Sequence, residues 1–203
     1  MFLFFYLRVR EIMRYFYTIV NAYYYYDSLK NILKNNNKIF NRVTDITISE
    51  LKNLGIQVLV LDFDGVLNSH GELLPCEAVL IWLEAMQLEL GGENIFIFSN
   101  KPLAARIQFF AARFPAIRFI DGVRKKPYPD GLQKIFQLKK DFIKEKMHMV
   151  LVDDRILTGM LATCIAGCQG FYIQKPYIQF QKRPMSETFF QILRFLERFW
   201  LMP

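Results

Sequence analysis

Short apolar segments alternate with amphipathic stretches through most of this chain. The apolar segments resemble β-strands in length and composition, and they lie at 56–61, 94–98, 117–120, 148–152 and 170–173. Stretches with helical periodicity lie near 76–90, 102–113, 129–138 and 157–167. Parallel strands need crossover connections, usually helices, so the alternation predicts a parallel sheet covered on both faces. We therefore expect an α/β fold, a Rossmann-like doubly wound sheet in a three-layer α/β/α arrangement.

The segments outside this alternation set the predicted domain limits. Residues 1–42 combine an aromatic amphipathic helix with a polar connector at 29–42, and residues 43–185 form the α/β domain. Thr47-Ile48-Ser49-Glu50 predicts a capping box that begins a short helix. Residues 186–203 predict an amphipathic helix whose apolar face packs on the core. That face carries Phe189, Ile192, Leu193, Leu196, Phe199 and Trp200, and the polar face carries Gln191, Arg194, Glu197 and Arg198.

Composition and charge narrow the class of protein and of partner. Hydrophobic residues make up 53% of the 203 residues, enough for a packed core. The net charge of +7 suits an anionic partner, although a lysine-rich composition alone produces the same charge. A nucleic-acid partner is not favoured, because no aromatic-and-basic recognition motif is present. Cys76, Cys164 and Cys168 form no even framework and predict reduced thiols in a cytoplasmic protein.

The N-terminal segment predicts contact with a surface rather than a membrane span. Its longest charge-free stretch, Tyr15 to Tyr26, has 12 residues, whereas a spanning helix needs about 20. The pattern of a secretory signal is missing. We expect residues 1–26 to contact a membrane or the groove of a partner, and Met13 is an alternative start. Peripheral attachment to the inner face of a membrane is therefore an option for this cytoplasmic protein.

Two aspartates follow the first apolar segment of the alternation. Asp62 and Asp64 flank a phenylalanine and precede Gly65. Residues i and i+2 of an extended chain project to the same side, so both carboxylates can reach one reacting group. The first can attack phosphorus and the second can transfer a proton, while a divalent cation offsets their shared charge. The alternative interpretation is a strand that runs into an ordinary Asp- and Gly-containing loop.

Three further strand ends carry groups that phosphoryl transfer needs. Ser99-Asn100 supplies a hydroxyl and backbone amides for the phosphoryl oxygens. Lys125-Lys126-Pro127 supplies an ammonium that offsets negative charge. Asp153-Asp154 supplies another carboxylate source for Mg²⁺, which prefers oxygen ligands. Since ligands of parallel sheets bind beyond the carboxyl ends of the strands, we expect these groups to converge.

In the order of these motifs the chain resembles the haloacid dehalogenase (HAD) superfamily of phosphohydrolases. Residues from about 43 to 200 are similar to its class IIIA branch, typified by YqeG proteins and the mitochondrial phosphatidylglycerophosphate phosphatase. The branch resemblance rests on Asp45-Ile46-Thr47 through Leu51, on Arg124-Lys125-Lys126-Pro127, on Asp154-Arg155-Ile156-Leu157-Thr158 and on the hydrophobic C-terminal stretch.

The resemblance implies a role for each carboxylate and a Mg²⁺ cofactor. Asp62 would be the nucleophile that becomes the aspartyl phosphate. Asp64 would protonate the leaving alkoxide and then activate water, with its backbone carbonyl on Mg²⁺. Asp154 would complete the metal site with Asp62 and Asp64.

The resemblance also implies the residues that bind the phosphoryl group. Ser99 would hold it, with Asn100 beside it, and Lys126 would be the cationic clamp. Lys125 is the alternative clamp, but the Lys-Pro pairing favours Lys126.

One departure from the branch pattern affects the fourth motif. The branch carries an acidic residue where this chain has Gly159, and this chain has an additional acid at Asp153. Loss of an outer-shell carboxylate commonly costs about 10–100-fold in metal affinity or activity. Asp153 is the candidate to compensate.

The spacing of the motifs also predicts an open site. Only 34 residues separate Asp64 from Ser99 and 26 separate Ser99 from Lys126, too few for a separate cap domain. An open site favours a phosphate on something large, and phosphatidylglycerophosphate is the leading candidate substrate. One alternative is a catalytically weakened, HAD-like pseudoenzyme that serves as an interaction or lipid-binding module. Another is processing of polynucleotide ends.

Overall fold

A computed structural model describes residues 2–201, with side chains from Val9 onward, so parts of the predicted terminal segments lie outside the described residues. In this part of the chain a single sheet of six parallel strands has the order β1-β6-β5-β2-β3-β4. The strands are β1 Ile39–Phe40, β2 Val58–Leu61, β3 Ile95–Ile97, β4 Arg118–Phe119, β5 Met149–Asp153 and β6 Gln169–Ile173. The prediction of an α/β fold with a parallel sheet is confirmed.

Helices cover both faces of this sheet. They are α1 Phe2–Tyr24, α2 Tyr26–Lys34, α3 Ile48–Asn53, α4 Glu77–Leu90, α5 Ala104–Arg113, α6 Asp130–Leu138, α7 Leu161–Ala166 and α8 Pro184–Leu201. A π-helical turn, Ile156–Met160, leads into α7. The predicted capping box is present at α3, where Glu50 N donates to Thr47 Oγ1 and Thr47 N donates to Glu50.

The central strands are apolar because both of their faces are buried. In β2, Leu59 and Leu61 pack into one cluster with residues of α4 and α5. Val58 and Val60 pack into a second cluster with residues of α6 and α7. Successive side chains of a strand point to opposite faces, so a strand between two helical layers needs an unbroken apolar run.

The prediction that residues 29–42 form a polar connector is wrong. This segment contains most of α2, in which Leu29 is fully buried, and it contains β1, which pairs with the edge strand β6. Two strand residues among asparagines and lysines leave no recognisable pattern, because the pairing with β6 decides that they are extended.

The predicted orientation of the C-terminal helix is also wrong. Phe189, Ile192 and Phe199 of the apolar face are exposed in α8, whereas Arg194 and Glu197 of the polar face are buried. Hydropathy favours the opposite arrangement. The reason is that the loops under α8 carry buried charged groups, which need charged partners.

The order of the strands reverses direction between the two central strands, β2 and β5. The chain runs from β2 outward to β3 and β4, then returns to the other side of β2 with β5 and β6. Such a reversal leaves a crevice beyond the carboxyl ends of the two central strands, where ligands of open α/β sheets bind. Among the helices of residues 2–201, none combines the length and apolarity needed to cross a membrane.

Candidate functional site

Three aspartates converge at the carboxyl ends of β2 and β5. Asp62, Asp153 and Asp154 are buried, and each offers one oxygen that lies within 4.8 Å of the others. The backbone causes this convergence, because β2 and β5 are neighbours in register and Asp62 N donates to Val152 O at 3.0 Å. Carboxylates this close repel one another unless a proton or cations intervene.

Lys126 provides one of the compensating cations. Its side chain is buried, its Nζ lies 2.9 Å from Asp62 Oδ1, and it also donates to Asp153 Oδ2. Burial acts to lower the pKa of Lys126, but the Asp153 and Asp62 carboxylates outweigh burial and raise it. Lys125 instead lies at the surface, 2.9 Å from Glu11. The structure therefore places Lys126, rather than Lys125, among the acids.

The surroundings of Asp62 make its carboxyl group a weaker acid than an ordinary aspartate. Burial has the largest effect and raises the pKa of Asp62, Lys126 lowers it, and the nearby acids Asp153, Asp154 and Asp64 raise it, so that the pKa is about 8. With the cations that the protein itself supplies, Asp62 therefore holds a proton at neutral pH. A divalent cation at this place would favour the ionised form, because metal ligands must be deprotonated.

Asp64 points away from the three-aspartate cluster. Both of its carboxylate oxygens accept from Arg106 of α5, with Nη2–Oδ1 at 2.6 Å and Nη1–Oδ2 at 3.1 Å. Gly71 N donates to the same carboxylate at 3.0 Å. Burial acts to raise the pKa of Asp64, but Arg106 and this backbone contact lower it overall. Asp64 is therefore ionised and in the form of a base.

Ser99 and Asn100 follow β3, as predicted, but their side chains make different hydrogen bonds. Ser99 is buried at the wall of a cavity of about 140 Å³ that Asp62, Asp64 and Asp154 also line. Ser99 Oγ accepts from the backbone N–H of Lys101 at 3.2 Å, which leaves its own proton free to be donated into the cavity. Asn100 Oδ1 accepts from Lys126 N at 2.7 Å, so this side chain braces the lysine loop.

Asp154 is held by a residue that the sequence did not indicate. Arg194 of α8 donates from Nε to Asp154 Oδ2 at 2.7 Å, and its Nη2 contacts the same oxygen. The other oxygen, Oδ1, is buried and has no hydrogen-bond partner among the described residues. A buried carboxylate oxygen without a donor, beside two further aspartates, fits a hard cation such as Mg²⁺.

Gly159 and Asp153 form one packing feature. A Cβ at Gly159 would overlap the side chain of Asp153, so Asp153 fills the space that a side chain at 159 would need. Asp153 Oδ1 accepts from Arg155 N at 2.9 Å, and Asp153 Oδ2 accepts from Lys126. The absence of a side chain at Gly159 therefore leaves the space that the Asp153 carboxylate occupies.

Arg106 and Arg194 are the site residues that sequence reasoning missed. Each lies about 40 positions from its aspartate partner, on a helix whose periodicity says nothing about the strand ends. An arginine on a helix is a common surface feature, so neither position carried a signal that could have predicted its pairing with an aspartate.

Comparisons with known proteins add no named relative to this site. No protein-family model matches the chain, and neither a curated protein nor a solved structure matches it. The site's own residues therefore carry its interpretation.

Proposed function

We propose that this protein is a Mg²⁺-dependent phosphomonoester hydrolase of the HAD type, built on a doubly wound sheet without a cap domain. The observation that carries the proposal is the convergence of Asp62, Asp154 and Lys126 around one cavity beyond β2 and β5, with Asp153 packed against Lys126 behind them. This set combines a nucleophile, a fixed ammonium and oxygen ligands, which are the groups that phosphoryl transfer requires.

The first chemical step uses Asp62. One of its carboxylate oxygens attacks phosphorus, the bond from phosphorus to the ester oxygen breaks, and an aspartyl phosphate forms. Lys126, whose Nζ lies 2.9 Å from Asp62 Oδ1, stabilises the negative charge on the nucleophile and on the phosphoryl oxygens. Mg²⁺, held by the carboxylates of Asp62 and Asp154 and the backbone carbonyl of Asp64, would supply further charge neutralisation. Ser99 donates to a phosphoryl oxygen.

The second step is hydrolysis of the aspartyl phosphate. Water attacks phosphorus, the bond to the Asp62 oxygen breaks, and the proton of the water passes to Asp64. The pairing with Arg106 keeps Asp64 ionised, which suits this role as a base. Its earlier role, protonation of the leaving alkoxide, requires Asp64 to carry a proton and the pair with Arg106 to open.

An apolar groove beside the catalytic cavity supports the proposal of an amphiphilic substrate. A groove of about 540 Å³ shares Lys126 and Arg155 with the catalytic cavity and runs between α1 and α8. Its apolar lining includes Ile19 of α1 and Leu193 of α8. A phosphate bound at Asp62 would leave the attached hydrocarbon beside these walls, and phosphatidylglycerophosphate is our leading candidate.

The outer surfaces of the same two helices support contact with a membrane. Ile12, Phe16 and Ile19 form an exposed stripe on α1, and Phe195 and Phe199 are exposed on α8. Exposed apolar stripes on a protein with a net charge of +7 fit an anionic bilayer. We propose a cytoplasmic protein that binds peripherally to the inner face of a membrane.

Phosphate release tests the proposed activity. The substrates are an aryl phosphate and phosphatidylglycerophosphate in anionic vesicles, each with and without Mg²⁺. We expect Mg²⁺-dependent release that Asp62→Asn lowers to background and that Asp121→Asn, a change at an exposed aspartate, leaves intact. Activity that survives in Asp62→Asn would reject the aspartyl-phosphate mechanism.

A second candidate is a HAD-like pseudoenzyme that serves as an interaction or lipid-binding module. The observation that favours it is that arginines engage two of the required carboxylates, Arg106 at Asp64 and Arg194 at Asp154. This candidate predicts vesicle binding that Asp62→Ala does not change, together with no turnover on a panel of phosphate esters. Mg²⁺-dependent turnover of any of them would exclude it.

A further inference from the structure

Helix α8 turns its charged side chains toward the catalytic centre. Glu187, Arg194 and Glu197 have relative exposures of 0%, 2% and 4%, although charged residues are rarely buried without a specific partner. Glu197 accepts from Arg155 Nε at 2.9 Å and from Ile156 N at 2.9 Å. These bonds attach α8 to the loop that follows Asp154.

Arg194 contacts Asp154 from behind the catalytic cavity. Asp154 lines this cavity, whereas Arg194 does not. Gly65 leaves the space for their contact, because a Cβ there would lie 2.5 Å from Asp154 Oδ2 and 3.1 Å from Arg194 Nη2. Gly65 also has a φ of +86°, which disfavours any side chain at this turn. The motif glycine and the arginine on α8 thus belong to one arrangement.

The contact with Arg194 gives the two carboxylate oxygens of Asp154 different environments. Arg194 engages Oδ2, so rotation of the carboxylate is restricted and Oδ1 stays without a donor in the cluster. In metal sites, partners of this kind orient the ligand and commonly contribute about 10–100-fold to metal affinity. Arg194 also offsets part of the repulsion among Asp62, Asp153 and Asp154, which Lys126 alone leaves incomplete.

We propose that Arg194 is a positioning residue for the cation ligand Asp154, supplied to the catalytic centre by the C-terminal helix. This inference rests on the proposed Mg²⁺-dependent hydrolase. It makes α8 part of the active site rather than a surface addition, because the helix holds Asp154 through Arg194 and the adjoining loop through Glu197.

The test compares two arginines of the same helix in the full chain. Arg194→Met removes the contact with Asp154. Arg198→Met is the matched control, because Arg198 is also paired, to Tyr172 Oη at 2.8 Å and Gln174 O at 2.7 Å, one turn further along. Binding of Mn²⁺ alone, followed by electron paramagnetic resonance, is the first readout, and circular dichroism checks the fold. We expect Arg194→Met to weaken Mn²⁺ binding by about 10–100-fold and Arg198→Met to leave it unchanged.

Kinetics supply a readout that a purely structural role would not move. We expect the rate of Arg194→Met to rise toward that of the wild type as Mn²⁺ is increased, with KM for the phosphate ester little changed. If Arg194→Met does not fold, Arg194→Lys and Arg194→Ala replace it. Millimolar guanidinium should restore Mn²⁺ binding to Arg194→Ala, whereas the same concentration of sodium chloride should not.

The outcomes separate this inference from the proposed function. Mn²⁺ binding by folded Arg194→Met that equals or exceeds the wild type would overturn the positioning role and indicate that Arg194 competes with the cation. Loss of Mn²⁺ binding in Arg194→Met, in a protein that hydrolyses no phosphate ester, would support the role of Arg194 and reject the proposed activity. A wild-type protein that binds no Mn²⁺ would overturn both.

Discussion

The two faces of α8 differ in a way that hydropathy does not anticipate. The inner face is charged and buried, with Arg194 and Glu197 in contact with the loop at Asp154 and Arg155. The outer face is apolar and exposed, and Phe195 retains 66% of its accessible surface. The difference teaches that the partner surface decides which side of a helix is buried. A surface with buried charges selects the charged side.

The physical reason lies in the cost of uncompensated charge. An unpaired charge in the interior costs several kcal/mol, whereas an exposed phenylalanine loses roughly 1.5–3 kcal/mol of burial free energy. The acids at the strand ends are therefore satisfied first, and the apolar side of α8 is left outward. That outward side and the exposed stripe of α1 are the surfaces that we propose for contact with a membrane.

The largest effect that tests this comparison is expected at the inner face. Glu197→Ala should lower the free energy of unfolding by about 3 kcal/mol, since it leaves Arg155, whose side chain is 15% exposed, without its partner. Glu84→Ala is the control, because Glu84 pairs with Arg113 at the surface, and it should cost less than about 1 kcal/mol. Urea denaturation measures both changes. Equal costs for the two variants would contradict the role of Glu197 as the partner of a buried charge.

A second effect concerns crowding beneath α8. Gly159→Ala should lower the free energy of unfolding by about 1–3 kcal/mol, because its Cβ would overlap Asp153. In an Asp153→Ala background the same change should cost far less, and the difference measures the coupling of the two positions. A double-mutant cycle by urea denaturation tests this, and additive changes would argue against the shared space.

Lowering the pH should reduce the stability of the protein through His70, which lies next to Glu187 of α8. Burial, followed by the charge of Arg194, lowers the pKa of His70 from its ordinary value of 6.5 to about 4, so its 3.5 Å contact with Glu187 is not an ion pair at neutral pH. Between these two values the unfolded chain binds a proton that the folded chain does not. Stability should therefore fall as the pH is lowered from about 6.5 to 4.

The variant His70→Gln isolates this contribution. Unfolding by urea at pH 7 and at pH 5 should show a smaller loss of stability in the variant than in the wild type. An unchanged pH dependence would mean that His70 does not titrate in the assigned direction.

The smallest effect on stability is expected at the outer face. Phe195→Ser should change the free energy of unfolding by no more than about 0.5 kcal/mol, as exposed substitutions usually do. It should nevertheless weaken binding to anionic vesicles, whereas Leu88→Ser, at an exposed leucine of α4, should not. Sedimentation with vesicles measures the difference. Equal binding by both variants would remove α8 from the proposed membrane surface.

Sequence reasoning recovered the elements whose patterns are local. The apolar runs at β2, β3 and β5 and the capping box at Thr47 were predicted, because burial on both faces and helix capping leave marks within a few residues. It missed β1, because two residues beside an edge strand leave no periodic mark. It also assigned α8 the wrong buried face.

The amino-acid sequence by itself determined an α/β chain with polar groups at successive strand ends. Neighbouring parallel strands then bring Asp62 close to Asp153 and Asp154, since their carboxyl ends share one edge of the sheet. Only the tertiary structure decided how these charges are balanced. Arg106 and Arg194 reach their aspartates from helices about 40 positions away, and long-range electrostatic pairing leaves no periodic trace in a sequence.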